Sequence, residues 1–333
     1  MNAIDEVLAN LDSKTRSRVA AASEISIERQ ETPSVGLNIG LGGGLAYGRQ
    51  TLLWGNKSAG KSTFCMGLIG KAQKQGKTAL WIDAERTFDP AWAQMHGVDT
   101  DELRVSEAAS VASFVDDSIA FMKAGIDIIV VDSITALLPA SYYSDKEELK
   151  DFEKTGQIGG IARDLSRAIP MISGINEKTL VIFISQQRNM INSMYTAVAP
   201  TGGFAPKFYS STIIKLWSSE SDGKAIKGEV QSGDKLIQAN IGREVQWEIQ
   251  NNKLGPQSIT GKYDFYYRGD DLGIDYVGEI VDLAELYGLI SKAGAWYKLG
   301  EEKLQGRNGV ISYLKENKAE AEKLIGEIYE KSR

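Results

Sequence analysis

Apolar residues Ile4, Val7, Leu8 and Leu11 recur at i, i+3, i+4 and i+7, which predicts an amphipathic helix at the start of the chain. The glycine-rich stretch 37–48 reads as turns. Short apolar runs then alternate with helical patterns. Strands are predicted at 51–54, 78–82, 127–131 and 180–184, and helices at 62–75, 111–123 and 157–175. The last helix carries Pro170, which predicts a kink or break. The runs 127–131 and 180–184 are almost continuously apolar, as for strands covered on both faces. This βαβα order predicts an α/β fold with a mainly parallel central sheet.

After residue 210 the pattern changes. Strands at 212–217, 244–250 and 258–267 alternate with polar turns. Helices return at 277–287, 310–315 and 320–329, and a small C-terminal α+β domain is expected. The predicted division is an N-terminal helix and linker at 1–34, a core at 35–275 and the small domain at 276–333.

The chain has 333 residues, a formal charge of −6, 42% hydrophobic and 25% charged residues. That composition excludes collagen-like, disulfide-rich and largely disordered chains. Cys65 is the single cysteine, so no intrachain disulfide forms and a reducing compartment is the natural reading. No apolar run is long enough to cross a membrane, and no secretory signal is recognisable, so a cytoplasmic location is expected. The acidic balance does not suggest a general nucleic-acid binder. Locally, however, there is no Asp or Glu between Glu177 and Glu220, while Lys178, Arg188, Lys207 and Lys215 fall inside that window. It is either an anion-facing surface or a strand with a Ser/Thr-rich loop.

The strongest motif is Gly55-Asn56-Lys57-Ser58-Ala59-Gly60-Lys61-Ser62, which fits G-x-x-x-x-G-K-[ST] between a predicted strand and a predicted helix. Its backbone N–H groups can curl around phosphate oxygens at a helix N-terminus. Lys61 can reach the β- and γ-phosphates of a nucleotide, and the Ser62 hydroxyl can ligate Mg²⁺. Asp132 ends the run Asp127–Asp132 and is the candidate acid for the metal's water shell. Glu85, after the strand at 78–82, is the candidate water-positioning carboxylate; a surface ion pair is the alternative. Gln186, at another strand tip, could sense a γ-phosphate or be a solvated strand end. With one His, His96, and one Cys, a zinc site or a Cys–His nucleophile is not expected.

In this order the motifs resemble the bacterial RecA recombinase family over roughly residues 35 to 315. The resemblance is carried by Gly42-Gly43-Gly44-Leu45, the phosphate loop through Thr63, Trp81–Glu85, Asp89-Pro90, Val130–Ser133, Thr201-Gly202-Gly203, Lys207-Phe208-Tyr209, Asn252-Lys253 and Gly294-Ala295-Trp296-Tyr297. It implies a RecA-type core that binds ATP and Mg²⁺ and hydrolyses ATP when bound to single-stranded DNA. It also implies self-association into a helical filament that pairs with a homologous duplex. By resemblance, Glu85 is the catalytic glutamate, Gln186 links the γ-phosphate to DNA, and Asp89 and Trp92 lie near the adenine. Two loops, about 141–155 and 187–200, hold DNA. Ile191 wedges between bases, and Arg163, Arg188, Gly202 and Gly203 touch the DNA backbone. Lys207 and Phe208 fall at the subunit interface, and Lys253 reaches the neighbour's ATP.

The chain departs from the family pattern in places. Asn251 stands where a second interface lysine is usual, and Phe204 where Asn often follows the glycine pair. The first loop is charged, Pro170 falls in a usually unbroken helix, and the chain ends without an acidic tail. These features suit a divergent member, a phage-encoded one being one source. Two other readings share the phosphate loop. A ring-forming motor would bring an arginine finger and an extra domain, and a regulatory ATP binder would lack turnover.

Overall fold

A computed structural model describes residues 3–16, 19–143, 149–150, 160–189, 198–218, 225–269 and 272–332. Six parallel strands form the centre: β1 (Gln50–Gly55), β2 (Ala79–Asp83), β3 (Arg104–Ser106), β4 (Ile128–Asp132), β5 (Leu180–Asn189) and β6 (Thr212–Ser218). Four antiparallel strands continue the sheet: β7 (Ala225–Ser232), β8 (Lys235–Asn252), β9 (Ile259–Tyr266) and β10 (Gly273–Ile274). The order across the sheet is β10-β9-β8-β6-β1-β5-β4-β2-β3, with β7 paired to β8. The predicted mainly parallel α/β architecture is therefore present.

The parallel strands are buried throughout at β1, β2 and β4, which explains their unbroken apolar character. One face packs on the helix Lys61–Gln73 through Phe64, Leu68 and Ile69. The other packs on the helices Val111–Ala124 and Gly160–Ile175 through Phe114, Leu165, Ile169 and Ile172. A third cluster, with Ile280, Tyr297, Val310, Leu314, Leu324 and Ile328, forms the C-terminal core. There a three-stranded antiparallel sheet, 291–305, packs with the helices Tyr276–Leu286, Gly306–Glu316 and Lys318–Lys331.

Three expectations need correction. The stretch 37–48 is not all turn: Val35–Leu41 is a helix, Leu45–Ala46 is a short strand paired with Arg29–Gln30, and the turns lie between and after them, with Gly42 left-handed at φ 73°. Its glycines hide a close approach, since a Cβ on Gly40 would lie 2.8 Å from Ile249 Cδ1. Its N-terminus is capped by Ser34 and by the distant carboxylate of Glu279, which accepts hydrogen bonds from Ser34 Oγ (2.6 Å), Val35 N (2.8 Å) and Gly36 N (3.0 Å). Secondly, Pro170 does not end its helix, which continues to Ile175. Proline forfeits one backbone hydrogen bond, but Leu165, Ala168, Ile169 and Ile172 are buried on both sides of it. Thirdly, the predicted strand 244–250 is only the inner part of the long strand β8, whose outer part forms a hairpin with β7.

Candidate functional site

The sheet register assembles the site. Gly55, where the phosphate loop leaves β1, lies level with Gln186 on β5 and Leu216 on β6. Asp83 and Asp132 are level on β2 and β4. Four strands, β1, β2, β4 and β5, therefore deliver the loop, the acids and the amide to one edge. Gly55 is required there: a Cβ would stand 1.7 Å from the Leu216 carbonyl oxygen. Gly60, left-handed at φ 82°, starts the helix Lys61–Gln73. The loop is tied to β6 by Asn56, whose Nδ2 donates to the Ser218 carbonyl at 2.9 Å.

A cavity of about 310 Å³ opens over this loop. Residues Lys57 through Thr63, Glu85, Trp92, Asp132 and Gln186 line it, all of them singled out in the sequence. Lys61 is buried, and its Nζ donates to the carbonyls of Asn56 (2.8 Å) and Gly55 (3.4 Å). Burial lowers its pKa, while the charges of Asp132 and Glu85 oppose the shift. Asp132 is buried and raised to about 6, chiefly by burial; a hydrogen bond from Ser62 and the charge of Lys61 oppose this, and Glu85 and Asp83 reinforce it. Ser62 and Asp132 thus meet, presenting a hydroxyl and a carboxylate. Hard oxygen donors of this kind suit Mg²⁺, which takes one or two protein ligands beside substrate phosphates and water. No cluster of three or more His, Cys, Asp or Glu that could form a metal cage exists among the described residues.

Glu85 is half-buried at the cavity mouth. Its backbone N–H is anchored on the Asp132 carbonyl (3.2 Å), beside that of Ala84 (2.9 Å). Asp83 closes the same turn by accepting from Thr87 N and Phe88 N. Glu85 Oε1 accepts from Ser133 Oγ (2.5 Å) and from Gln186 Nε2 (2.8 Å). Both donors bind one oxygen, and among the described residues no donor reaches Oε2. Gln186 in turn is joined to the far side of the second loop, since Thr201 Oγ1 donates to its carbonyl at 2.6 Å. Beyond it Gln187, Arg188 and Asn189 pair with Val198–Pro200.

Trp92 reaches the cavity from the helix Pro90–Met95, with its Nε1 donating to Thr63 Oγ1 at 3.3 Å. Asp89 does not line it; it caps that helix by accepting from Ala91 N and Trp92 N, and so fixes the indole's entry. His96 is at the helix end and makes an edge contact with Trp92 (4.6 Å between centroids). Sequence reasoning missed Arg243, Phe265 and Tyr267, which line the same cavity from β8, β9 and the residue after β9. Nothing local marked them, because their placement follows from the pairing of β8 with β9.

The other candidates fall in two groups. Arg163 is exposed on the helix Gly160–Ile175, next to Ala162, whose Cβ would be 3.1 Å from a Cβ on Gly203. Gly202 (φ 103°) and Gly203 (φ 81°) are left-handed, and Arg188 is exposed near the end of β5. Arg163, Gly202 and Gly203 are therefore neighbours. Most of the first loop, at 144–148 and 151–155, and the part of the second at 190–197, which includes Ile191, lie outside the described residues. The second group is Lys207, Phe208 and Lys253. Lys253 Nζ donates to the Phe208 carbonyl (2.9 Å), and the Phe208 side chain is 74% exposed.

Residues 2–269 match the RecA N-terminal domain and residues 278–333 the RecA C-terminal domain. Curated relatives named Protein RecA are similar along most of their length. The Mannheimia haemolytica protein is 36% identical over 310 residues, covering 91% of this chain and 78% of the relative. The Haemophilus ducreyi protein is 36% identical over 317 residues (93% and 80%), and the Gloeobacter violaceus protein 33% over 320 residues (94% and 81%). With two family domains spanning nearly the whole sequence, the chain belongs to the RecA family of DNA-dependent ATPases.

Proposed function

We propose that this protein polymerises on single-stranded DNA, hydrolyses ATP at the phosphate loop, and pairs the coated strand with a homologous duplex. The observation that carries this reading is the hydrogen bond between Gln186 and Glu85, because it joins the candidate water-positioning carboxylate to the strand that leads into the second DNA loop.

The phosphate-loop amides and Lys61 hold the triphosphate. Ser62 and Asp132 would hold Mg²⁺, which when bound would supply neutralisation of phosphate charge. Trp92 provides a stacking face for the adenine, and Asp89 positions that helix. Glu85 orients water for in-line attack and accepts its proton through the free Oε2. Loss of the γ-phosphate changes the partners of Gln186. Through the Gln186 carbonyl and Thr201, that change reaches Gly202, Gly203 and Arg188. Arg163 and Arg188 neutralise DNA phosphates, and Ile191 separates bases.

Exposed apolar groups support self-association. Ile4 and Val7 on the first helix are 68% and 60% exposed, and Phe204 and Phe208 are 88% and 74% exposed. In this reading residues 1–34 pack on a neighbouring subunit, 35–275 form the ATPase core and 276–333 the small domain. Lys207 and Phe208 contact that neighbour, and Lys253 approaches its ATP. No helix among the described residues is long and apolar enough to cross a membrane, and a cytoplasmic location fits the single buried thiol.

The test is ATP hydrolysis titrated with single-stranded DNA, with electron microscopy of the same mixtures. Stimulated turnover and open filaments are expected. Closed rings would favour the motor, and turnover indifferent to DNA would refute the proposal.

A further inference from the structure

We propose that Arg243 binds a phosphate of the nucleotide from the wall facing the phosphate loop, and that Tyr267 holds it in position. The proposal rests on the reading that this cavity takes ATP.

Arg243 lies on β8 opposite Phe265 on β9, and Arg243, Phe265 and Tyr267 line the same cavity as Lys57, Lys61 and Ser62. The guanidinium carbon is 5.6 Å from the centre of the Tyr267 ring. Stacking on an aromatic face leaves the edge N–H groups of the guanidinium free to donate in its plane. Among the described residues Arg243 forms no ion pair, although the chain is acidic and carboxylates stand close by in sequence. The adjacent Glu244 is engaged by Lys262 at 2.7 Å, and successive strand residues point to opposite faces. Arg307, a partly buried arginine on the helix Gly306–Glu316, is instead tied to Asp282 at 2.7 Å and faces Asp275 at 3.7 Å.

The cavity therefore holds a half-buried, stacked cation without an acidic partner. The ligand that satisfies a planar fork of donors is an oxyanion, and in this cavity that is a nucleotide phosphate. Lys61 is on the loop side and engages the loop's own carbonyls. Arg243 reaches the same cavity from β8, two strands away from β1, so a second cation is offered to the phosphate chain. This adds a cation from within the same chain to the site where Lys253 is expected to arrive from a neighbour.

The experiment measures binding of adenosine, ADP and ATP, by competition against a fluorescent ATP analogue, to the wild-type protein and to R243Q, R243K, Y267L and K61A. R243Q is expected to weaken ATP and ADP about tenfold or more, the size of one lost charge-assisted contact, while adenosine changes less than twofold. R243K should recover part of the loss, because lysine restores the charge without the bidentate fork. Y267L should lose a smaller share of affinity with the arginine intact. Wild-type affinity for ATP in R243Q would overturn the proposal. So would an equal loss for adenosine, ADP and ATP, which would make Arg243 part of the base pocket. R243K matching R243Q, with both folded by circular dichroism, would show that charge is not what matters and would also overturn it. K61A separates this from the parent reading: if K61A loses ATP and R243Q does not, only the role of Arg243 fails. If the wild-type protein binds no ATP, the nucleotide reading itself fails.

Discussion

Glu279 joins two parts of the molecule that lie far apart in sequence, and its removal should be felt as a pH-dependent change in stability. Its carboxylate is buried, and it caps the helix Val35–Leu41 through Ser34 Oγ, Val35 N and Gly36 N. Burial raises its pKa from 4.5 to about 7; the three hydrogen bonds oppose the shift, and the charge of Asp282 adds to it. A rise of that size corresponds to about 3 kcal/mol, at about 1.4 kcal/mol per pH unit. Because the folded-state value is raised, the folded chain retains the proton between pH 4.5 and about 7 while the unfolded chain has released it. Stability from this group is complete below pH 4.5 and falls as pH rises toward 7, then levels off. The substitution E279Q removes the ionisation and nearly preserves the volume. Its amide nitrogen must face one of the three donors, so it should be destabilised by about 1–3 kcal/mol at acidic pH. That deficit should close by about 3 kcal/mol on going to pH 8, where the wild-type carboxylate is charged. Urea unfolding followed by circular dichroism at several pH values reads both quantities. Parallel stability curves for the two proteins, with a gap independent of pH, would refute the assignment of this titration to Glu279.

Other residues carry sharper functional expectations. E85Q should keep ATP binding but slow hydrolysis by about 10²–10⁴-fold; normal single-turnover rates would remove Glu85 from the chemistry. G55A places a Cβ 1.7 Å from the Leu216 carbonyl oxygen, so it should cost about 1–3 kcal/mol and displace the loop; an unchanged melting temperature and unchanged ATP affinity would contradict the geometry. R188A should reduce the salt slope of single-stranded DNA binding by about 0.7, the share of one phosphate contact; an identical slope would exclude that contact. F208A removes a side chain that is 74% exposed, and light scattering against concentration should show assembly weakened about 10–100-fold, the equivalent of about 1.5–3 kcal/mol. Unaltered assembly would place the interface elsewhere.

The sequence was most readable where a local signal and the tertiary demand coincide. The runs at β1, β4 and β5 are apolar because both faces are covered, and the phosphate loop is glycine-rich because Gly55 has no room for a side chain and Gly60 is left-handed. Asp132 and Glu85 were legible for a related reason, since polar residues that end buried strands must face the sheet's edge; Gln186 was legible from the same change of apolar to polar residues, although β5 runs on past the predicted end at 184 to Asn189. Pairing across distant segments was not legible. The helix Val35–Leu41 looks like a turn-rich stretch because its decisive cap, Glu279, is 245 residues from Ser34. Arg243 and Tyr267 look like ordinary surface residues until the register of β8 against β9 sets them on the cavity over the phosphate loop.

The same distinction bears on how the site is built. One wall, from Gly55 to Thr63 with Asp132 and Glu85, is made by parallel strand ends and the helix that follows β1, and its chemistry is concentrated in short motifs. The facing wall is made by the antiparallel extension, where Arg243 and Phe265 are brought level only by cross-strand pairing. Phe265 also stacks near His96 (6.2 Å between centroids), which in turn touches Trp92, so an aromatic series joins the two walls at one end. A substitution in the first wall therefore acts on phosphate chemistry directly. A substitution that shifts β8 relative to β9 acts on it at a distance, by moving Arg243 away from Tyr267 while every motif residue stays in place. If Arg243 binds a phosphate as proposed, the pairing of these two strands is as much a part of the nucleotide site as the phosphate loop, and affinity for ATP should respond to either.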